Sequence, residues 1–229
     1  LVYDEVGEKE ARKYGLKEEV LRSGWWVRRE MYQKIDRKEA RRKLGIVDER
    51  PVIFIGGGSL GTNSLTRLLP VLMTIERECA FVFNTGTDKI LHSTIDQYIK
   101  LLKKLKLGGQ IIVKNLGWIE NMAEVLRASD IVFGKAGPNF MFDVVASERP
   151  MVAITHIGGQ EDGNIEILKK KKLGWVKEKP GESAEFLLEY LERPKYYENL
   201  FLKNIMREAR NNQMTMEKIW ERVKKDLSC

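Results

Sequence analysis

The sequence predicts an α/β fold, a Rossmann-like parallel sheet with helices on both faces. Short runs of β-branched and aromatic residues recur along the chain, and most are apolar on both faces, as strands inside a parallel sheet are. Stretches with helical hydrophobic spacing separate these runs, which predicts right-handed crossover connections. The hydrophobic fraction of 43% and the charged fraction of 32% are typical of a globular chain and exclude a disordered one.

Each predicted strand is short, and a predicted helix separates it from the next. The predicted strands are residues 52–55, 80–83, 110–113, 130–133 and 151–154. The predicted helices are residues 66–78, 95–105, 121–128, 140–147 and 164–172. This alternation indicates one doubly wound sheet within residues 36–195.

The two ends of the chain differ from this pattern. Residues 1–35 are too short to form a domain. Asp36, with Glu39 three residues later, predicts a capping box that opens a helix over Arg37–Lys43. Residues 196–229 are charged and weakly amphipathic, and we expect a helix of about 30 residues and about 45 Å there. Such a helix would pack across the domain or onto a part that this chain lacks.

Composition limits the cellular setting and the partners. No run of eighteen apolar residues exists, no signal peptide is visible, and two cysteines form no disulfide framework. We therefore expect a cytoplasmic location. The first residue is Leu1 rather than Met, so we expect the sequence to be part of a longer chain. The formal net charge of +7 favours phosphorylated ligands or anionic surfaces.

Ligands of an open parallel sheet bind beyond the carboxyl ends of the strands, so the loops after the strands carry the function. Residues 56–61 read GGGSLG, a glycine turn that can bring backbone N–H groups to an anion. A dinucleotide site would also need an acidic residue at the end of the second strand. Asn84 stands there, and Asp88 lies beyond a glycine turn. A Rossmann dehydrogenase is thereby disfavoured but remains an alternative.

The loops after the third, fourth and fifth strands are rich in ligand-type residues. They read NLGWIENM (115–122), GKAGPN (134–139) and THIGGQEDGN (155–164), and Asp143 follows in the next helix. Any one of these loops could be an ordinary turn. A purely structural domain would rarely place glycine pairs, a lysine and a Gln-Glu-Asp-Gly-Asn cluster on one edge, so together they indicate a ligand site.

These motifs resemble the donor-binding half of a GT-B glycosyltransferase. The resemblance rests on GKAGP after the fourth strand, an acid in the next helix and GGQEDGN after the fifth strand, in that order. It is closest to the diacylglycerol galactosyl- and glucosyltransferases. The peptidoglycan lipid-intermediate N-acetylglucosaminyltransferase is a more distant relative. The similarity covers residues 36–190, and residues 1–35 resemble the last piece of an N-terminal acceptor domain with its interdomain crossing.

The resemblance implies a role for each loop. The residues it assigns to the nucleotide and its phosphates are Gly57, Gly58, Ser59, Gly117, Trp118, Ile119, Met122, Lys135, Ala136, Gly137, Pro138, Asn139 and Asp143. Among these, Trp118, Ile119 and Met122 would frame the uracil, and Asp143 would hold the ribose. The residues it assigns to the sugar are Gln160, Glu161 and Asn164. The chain departs from the family pattern at Phe140, Phe142, Asp143 and Glu148.

The resemblance also implies the reaction. The chain would be the UDP-sugar-binding half of an inverting glycosyltransferase that acts on a lipid or lipid-linked acceptor. The general base would lie in the acceptor domain, so catalytic residues are not assigned here, and the chain alone would turn over poorly. No cofactor, no metal and no nucleic-acid partner are expected. A nucleotide-sugar 2-epimerase of the same architecture and a non-catalytic nucleotide-binding module remain alternatives.

An anionic membrane surface is a further expected partner. Trp25 and Trp26 precede a basic stretch that continues into the predicted helix Arg37–Lys43. Tryptophan favours the membrane interface, and cations favour anionic lipid. This pattern predicts a peripheral membrane position. The alternative is that both tryptophans pack against the acceptor domain and the cations are merely solvated.

Overall fold

A six-stranded, fully parallel sheet forms the centre of the molecule, with the strand order β3-β2-β1-β4-β5-β6. The computed structural model describes residues 1–56, 65–105, 110–179 and 181–227. The strands are β1 Val52–Gly56, β2 Cys79–Phe83, β3 Ile111–Asn115, β4 Ile131–Lys135, β5 Met151–Thr155 and β6 Gly174–Val176. This confirms the predicted Rossmann-like fold. It adds β6, whose three residues are too few for a hydrophobic pattern.

The helices cover both faces of the sheet. Within the described residues they are α1 Glu5–Lys13, α2 Arg37–Lys43, α3 Leu69–Leu72, α4 Lys89–Lys104, α5 Met122–Ala128, α6 Pro138–Ala146, α7 Asp162–Lys170, α8 Glu182–Glu192, α9 Pro194–Leu200, α10 Leu202–Gln213 and α11 Thr215–Leu227. A 3-10 helix, Arg29–Tyr32, precedes α2. The Asp36 side chain accepts from the Glu39 N–H at 2.7 Å, as the capping pattern predicts. The helix predicted over residues 66–78 is shorter, since α3 begins at Leu69 with Pro70 in its first turn.

The C-terminal helical region is present as predicted. Residues 202–227 form α10 and α11, which meet at Met214. Helix α10 buries Ile205 and Ala209 and packs against α6. Helix α10 therefore packs on the domain, whereas α11 buries only Thr215.

Two apolar clusters fill the spaces between the sheet and its helices. Successive residues of a strand point to opposite faces, so Phe54 joins one cluster while Ile55 joins the other. The first cluster includes Met141 of α6 and Ile205 of α10, and the second includes Phe186 of α8. This burial of every β1 residue explains why the strands are apolar on both faces.

At the amino edge, where the strands begin, Asp130 ties α2 to the sheet. Its Oδ2 accepts from the Arg41 guanidinium at 2.5 Å and from the Val52 N–H at 2.8 Å, and its Oδ1 accepts from Arg37. Arg41 is buried, and Lys43 pairs with Glu124 of α5. Arg37, Arg41 and Lys43 therefore have partners inside the molecule, whereas Lys38 and Arg42 are exposed.

Residues 1–35 pack against the C-terminal half of the chain. The Trp25 ring stacks on Phe142 of α6 with centroids 5.3 Å apart. The Tyr3 hydroxyl donates to Glu208 at 2.5 Å, and the Thr215 hydroxyl donates to the Ser23 carbonyl at 2.7 Å. Trp25 thus has its partner within this chain. Trp26 remains 61% exposed.

Candidate functional site

The crevice where the strand order reverses has a floor of bare backbone. Gly56 ends β1, and its register partner on β4 is Gly134. A Cβ on Gly134 would lie 2.1 Å from the Gly56 carbonyl oxygen, so no side chain fits there. In open parallel sheets the ligand crevice lies at this reversal, beyond the carboxyl edge where the strands end.

The loops after β4 and β5 meet at this edge. The Lys135 ammonium pairs with Glu161 Oε1, and Glu161 Oε2 accepts from the Ile157 N–H at 2.8 Å. Asn164 donates from its side-chain nitrogen to the Ala136 carbonyl at 2.8 Å. The structure therefore brings together residues that the sequence assigned separately to the phosphates and to the sugar.

Helix α6 begins directly beside this ion pair. Gly137 is its N-cap and Pro138 its first residue, and no side chain caps its first turn. A Cβ on Gly137 would lie 3.2 Å from Lys135 Nζ and 3.4 Å from Glu161 Oε1. Backbone N–H groups, the positive end of the helix and a lysine therefore converge where an anion can bind.

Asp143 lies one turn further along α6 and points towards the N-terminal segment. Its side chain is buried, and its Oδ2 accepts from the Arg28 guanidinium at 2.5 Å. Burial raises the pKa of Asp143 above its ordinary value, and the charge and hydrogen bond of Arg28 offset part of that rise. Arg28 lies 115 positions away in sequence, so no local pattern could place it next to the predicted ribose ligand.

The loop after β3 separates its predicted nucleotide residues. Gly117 has a φ of +62°, which suits glycine. Ile119 and Met122 pack partly buried against the core, whereas Trp118 is 71% exposed. The Trp118 ring is thus exposed to solvent while Ile119 and Met122 contact the core, so the three predicted uracil residues do not form one surface.

A histidine flanked by two carboxylates holds the loop after β5. His156 Nδ1 lies 2.6 Å from Glu178 Oε1, and its Nε2 lies 3.0 Å from Asp162 Oδ1. The Glu178 hydrogen bond, with a contribution from Asp162, raises the pKa of His156 above its ordinary value. Asp162 also accepts from the Gly159 N–H at 3.1 Å, while Gln160 beside it is exposed. From the sequence, His156 is expected either to contact the donor phosphate or sugar or to be a satisfied structural histidine, and in the structure both of its ring nitrogens lie next to carboxylates.

Part of the predicted site lies outside the described residues, namely Gly57, Gly58 and Ser59. In the ranges that the structure does describe, no three His, Cys, Asp or Glu side chains are grouped to hold a metal ion. None of the helices in those ranges combines the length and apolar character that a membrane crossing requires.

Comparisons with known proteins agree with this architecture. Monogalactosyldiacylglycerol synthase 1 of Arabidopsis thaliana is 27% identical over 192 residues, which are 80% of this chain and 34% of that protein. A Clostridioides difficile UDP-N-acetylglucosamine--N-acetylmuramyl-(pentapeptide) pyrophosphoryl-undecaprenol N-acetylglucosamine transferase is 28% identical over 120 residues, 50% of this chain and 27% of that protein. The chain thus spans well under half the length of these curated relatives.

Solved structures share the fold. Acinetobacter baumannii MurG matches with a TM-score of 0.62 at 18% identity, covering 85% of this chain and 55% of that one. Anabaena Alr3699/HepE, solved in complex with UDP-glucose, matches with a TM-score of 0.60 at 16% identity, covering 96% and 63%. The family model described as the glycosyltransferase family 28 C-terminal domain matches residues 52–223. The chain therefore belongs to the glycosyltransferase family 28 C-terminal domain family.

Proposed function

We propose that this chain binds the UDP-sugar donor of an inverting glycosyltransferase that acts on a lipid or lipid-linked acceptor. The observation that carries the proposal is the junction of the loops after β4 and β5. Lys135, the start of α6, Glu161 and Asn164 all meet there. A nucleotide-sugar carries a diphosphate next to a sugar ring with several hydroxyl groups. This junction places hydrogen-bond donors for an anion next to carboxylate and amide groups that can bind hydroxyls.

Each group at the junction has a proposed task. The diphosphate binds at the N-terminus of α6 beside Lys135, as anions do at helix N-termini. Glu161 and Gln160 bind the sugar hydroxyls. The Glu161 carboxylate is already oriented by Lys135 and Ile157, and its remaining lone pairs can accept from hydroxyl groups. Arg28 contacts Oδ2 of Asp143, which leaves Oδ1 for a ribose hydroxyl.

The proposed reaction needs no cofactor and no metal. The acceptor hydroxyl oxygen attacks the anomeric carbon from the face opposite the diphosphate, and a base takes the hydroxyl proton. The bond between the anomeric carbon and the diphosphate oxygen breaks, so UDP leaves with the bonding electrons and the configuration inverts. The positive groups at α6 stabilise the charge on that leaving group. We assign the base to an acceptor-binding part outside this chain.

The lipid acceptor is proposed from the relatives, one of which is named as a monogalactosyldiacylglycerol synthase. A peripheral membrane position is part of the same proposal. Its support in the structure is the exposed Trp26, because Arg37, Arg41 and Lys43 already have partners inside the molecule. Co-sedimentation with anionic vesicles at low salt tests it. Binding that Trp26→Ala does not weaken would count against this surface.

Calorimetry with UDP, a UDP-hexose and NAD tests the donor proposal. We expect UDP and the UDP-hexose to bind and NAD to bind more weakly.

Gln160→Ala should weaken UDP-hexose binding by about 1 kcal/mol, the value of one hydrogen bond, and leave UDP binding nearly unchanged. Gln160 is exposed, so its replacement leaves the fold intact. Tighter binding of NAD, or no binding of any nucleotide, would overturn the proposal.

A further inference from the structure

A second pocket opens at the other side of the carboxyl edge, beyond β2 and β3. It has a volume of about 530 Å³ and lies between Trp118 and one face of α4. Its polar lining includes Asp88, His92, Ser93, Asp96 and Gln97, together with two lysines, Lys89 and Lys100. Trp118 is 71% exposed and, among the described residues, is the one predicted donor-site residue in this lining.

A hydrogen-bond network holds the inner wall of the pocket in place. The Asn115 side-chain nitrogen donates to Asp96 Oδ1 at 2.7 Å and to the His92 carbonyl at 3.0 Å. The Thr85 hydroxyl lies 3.0 Å from His92 Nδ1. Asp88 caps α4 by accepting from the Leu91 N–H at 2.9 Å. The polar groups are therefore oriented before any ligand arrives, which lowers the entropic cost of binding.

The lining chemistry indicates a neutral, hydroxyl-rich ligand. Two carboxylates and two lysines line the pocket, so it carries no marked excess of either charge. A large exposed indole offers an apolar surface next to carboxylate, amide and hydroxyl groups. A hexose ring presents a matching pair of surfaces, because its C–H face packs on an aromatic ring while its hydroxyl groups form hydrogen bonds at the rim.

We propose that this pocket is a second carbohydrate-binding site, which takes a neutral hexopyranoside ring on Trp118. It lies apart from the proposed donor site. Strand β3 is separated from β4 by three strand spacings, about 14 Å. None of the residues at the junction of the β4 and β5 loops lines the pocket. The pocket is therefore separate from the groups proposed to bind the diphosphate and the sugar of the donor, so glycoside binding can be tested without nucleotide.

The indole N–H signals of the 15N-labelled protein test this site. The chain has five tryptophans, and Trp118→Ala identifies the Trp118 signal by its loss. Methyl β-D-galactopyranoside, methyl β-D-glucopyranoside and methyl N-acetyl-β-D-glucosaminide are added separately without nucleotide. We expect at least one of them to shift the Trp118 signal saturably, with a dissociation constant in the millimolar range.

Matched variants localise the binding. Gln97→Ala should weaken glycoside binding about fivefold, the effect of one hydrogen bond. Thr94→Ala is the control, since Thr94 is exposed on the same helix but does not line the pocket, and binding should be unchanged. Trp26→Ala should leave the Trp118 shift intact. If Thr94→Ala weakens binding as much as Gln97→Ala, the ligand lies elsewhere.

Three results would overturn the proposal. The first is the absence of a saturable Trp118 shift with all three glycosides. The second is a stronger response of Trp118 to inorganic phosphate, which would make the pocket an anion site of the two lysines. The third is displacement of the glycoside by UDP, which would place Trp118 at the uracil, as the sequence resemblance implies.

Discussion

At the amino edge of the sheet, the Asp130 carboxylate is enclosed by two arginines and a backbone N–H. At the carboxyl edge, the Glu161 carboxylate also pairs with a cation and a backbone N–H, but the exposed Gln160 and the uncapped start of α6 lie directly beside it. Both carboxylates are nearly buried, with side-chain exposures of 3% and 5%. The difference is in what surrounds them.

The comparison separates two uses of a buried ion pair. A carboxylate whose partners all belong to the fold contributes to stability and is strongly destabilising when one partner is removed. A carboxylate beside an open loop can also accept hydrogen bonds from a ligand. Replacements at the amino edge should therefore change unfolding alone, and replacements at the carboxyl edge should change unfolding and binding together.

The largest effect is expected at Asp130. Asp130→Asn removes the charge that two arginines face, and we expect a loss of about 3–5 kcal/mol in the free energy of unfolding. Urea unfolding followed by tryptophan fluorescence measures it. Asp48→Asn is the control, because its partly exposed pair with Arg50 should contribute no more than about 1 kcal/mol. Equal losses for the two variants would show that the buried ion pairs of Asp130 contribute no more to the free energy of unfolding than a partly exposed pair does.

The second effect combines stability and binding. Lys135→Met leaves Glu161 buried beside an apolar group, so we expect a loss of about 2 kcal/mol in unfolding free energy. UDP-hexose binding should weaken at the same time. The double variant Lys135→Met/Glu161→Leu should recover stability without recovering binding. Recovery of both stability and UDP-hexose binding would show that the Lys135–Glu161 ion pair is not part of the donor site.

A third, smaller effect tests backbone strain at the amino edge. Glu148 has a φ of +58° and pairs with Arg127 at 3.2 Å. A residue with a Cβ in this left-handed conformation is strained by about 1 kcal/mol. Glu148→Gly removes that strain but also removes the ion pair with Arg127. We expect Glu148→Gly to be about 1 kcal/mol more stable than Glu148→Ala, which loses the pair but keeps the Cβ. The reverse order in urea unfolding would contradict the strain argument.

The smallest effect is the pH dependence of the loop after β5. Because the pKa of His156 is raised in the folded protein, its charged form stabilises the fold fully below about pH 6.5. That contribution, about 0.5 kcal/mol for a partly exposed group, is lost as the pH rises through the raised value. His156→Gln should remove this part of the pH dependence between pH 6 and pH 8.5. An unchanged profile would exclude His156 as its source.

The sequence predicts the sheet well because each central strand is an uninterrupted apolar run, visible without tertiary contacts. It misses β6, where Gly174–Val176 is too short to show a pattern. It also predicts that the GKAGP and GGQEDGN loops share an edge, because both follow strands of a parallel sheet, whose carboxyl ends lie at the same edge. It cannot predict that Arg28 reaches Asp143 or that Arg41 reaches Asp130, because those partners are far apart in sequence and meet only after folding.

The glycine pair in the crevice floor limits how this domain can diversify. Gly56 and Gly134 leave no room for a side chain, so substitutions at these positions cannot be used to retune donor preference. Variation must instead come from the walls, in the loops after β3, β4 and β5. A mutagenesis library aimed at the proposed donor site should therefore hold both glycines fixed and randomise exposed wall positions such as Gln160.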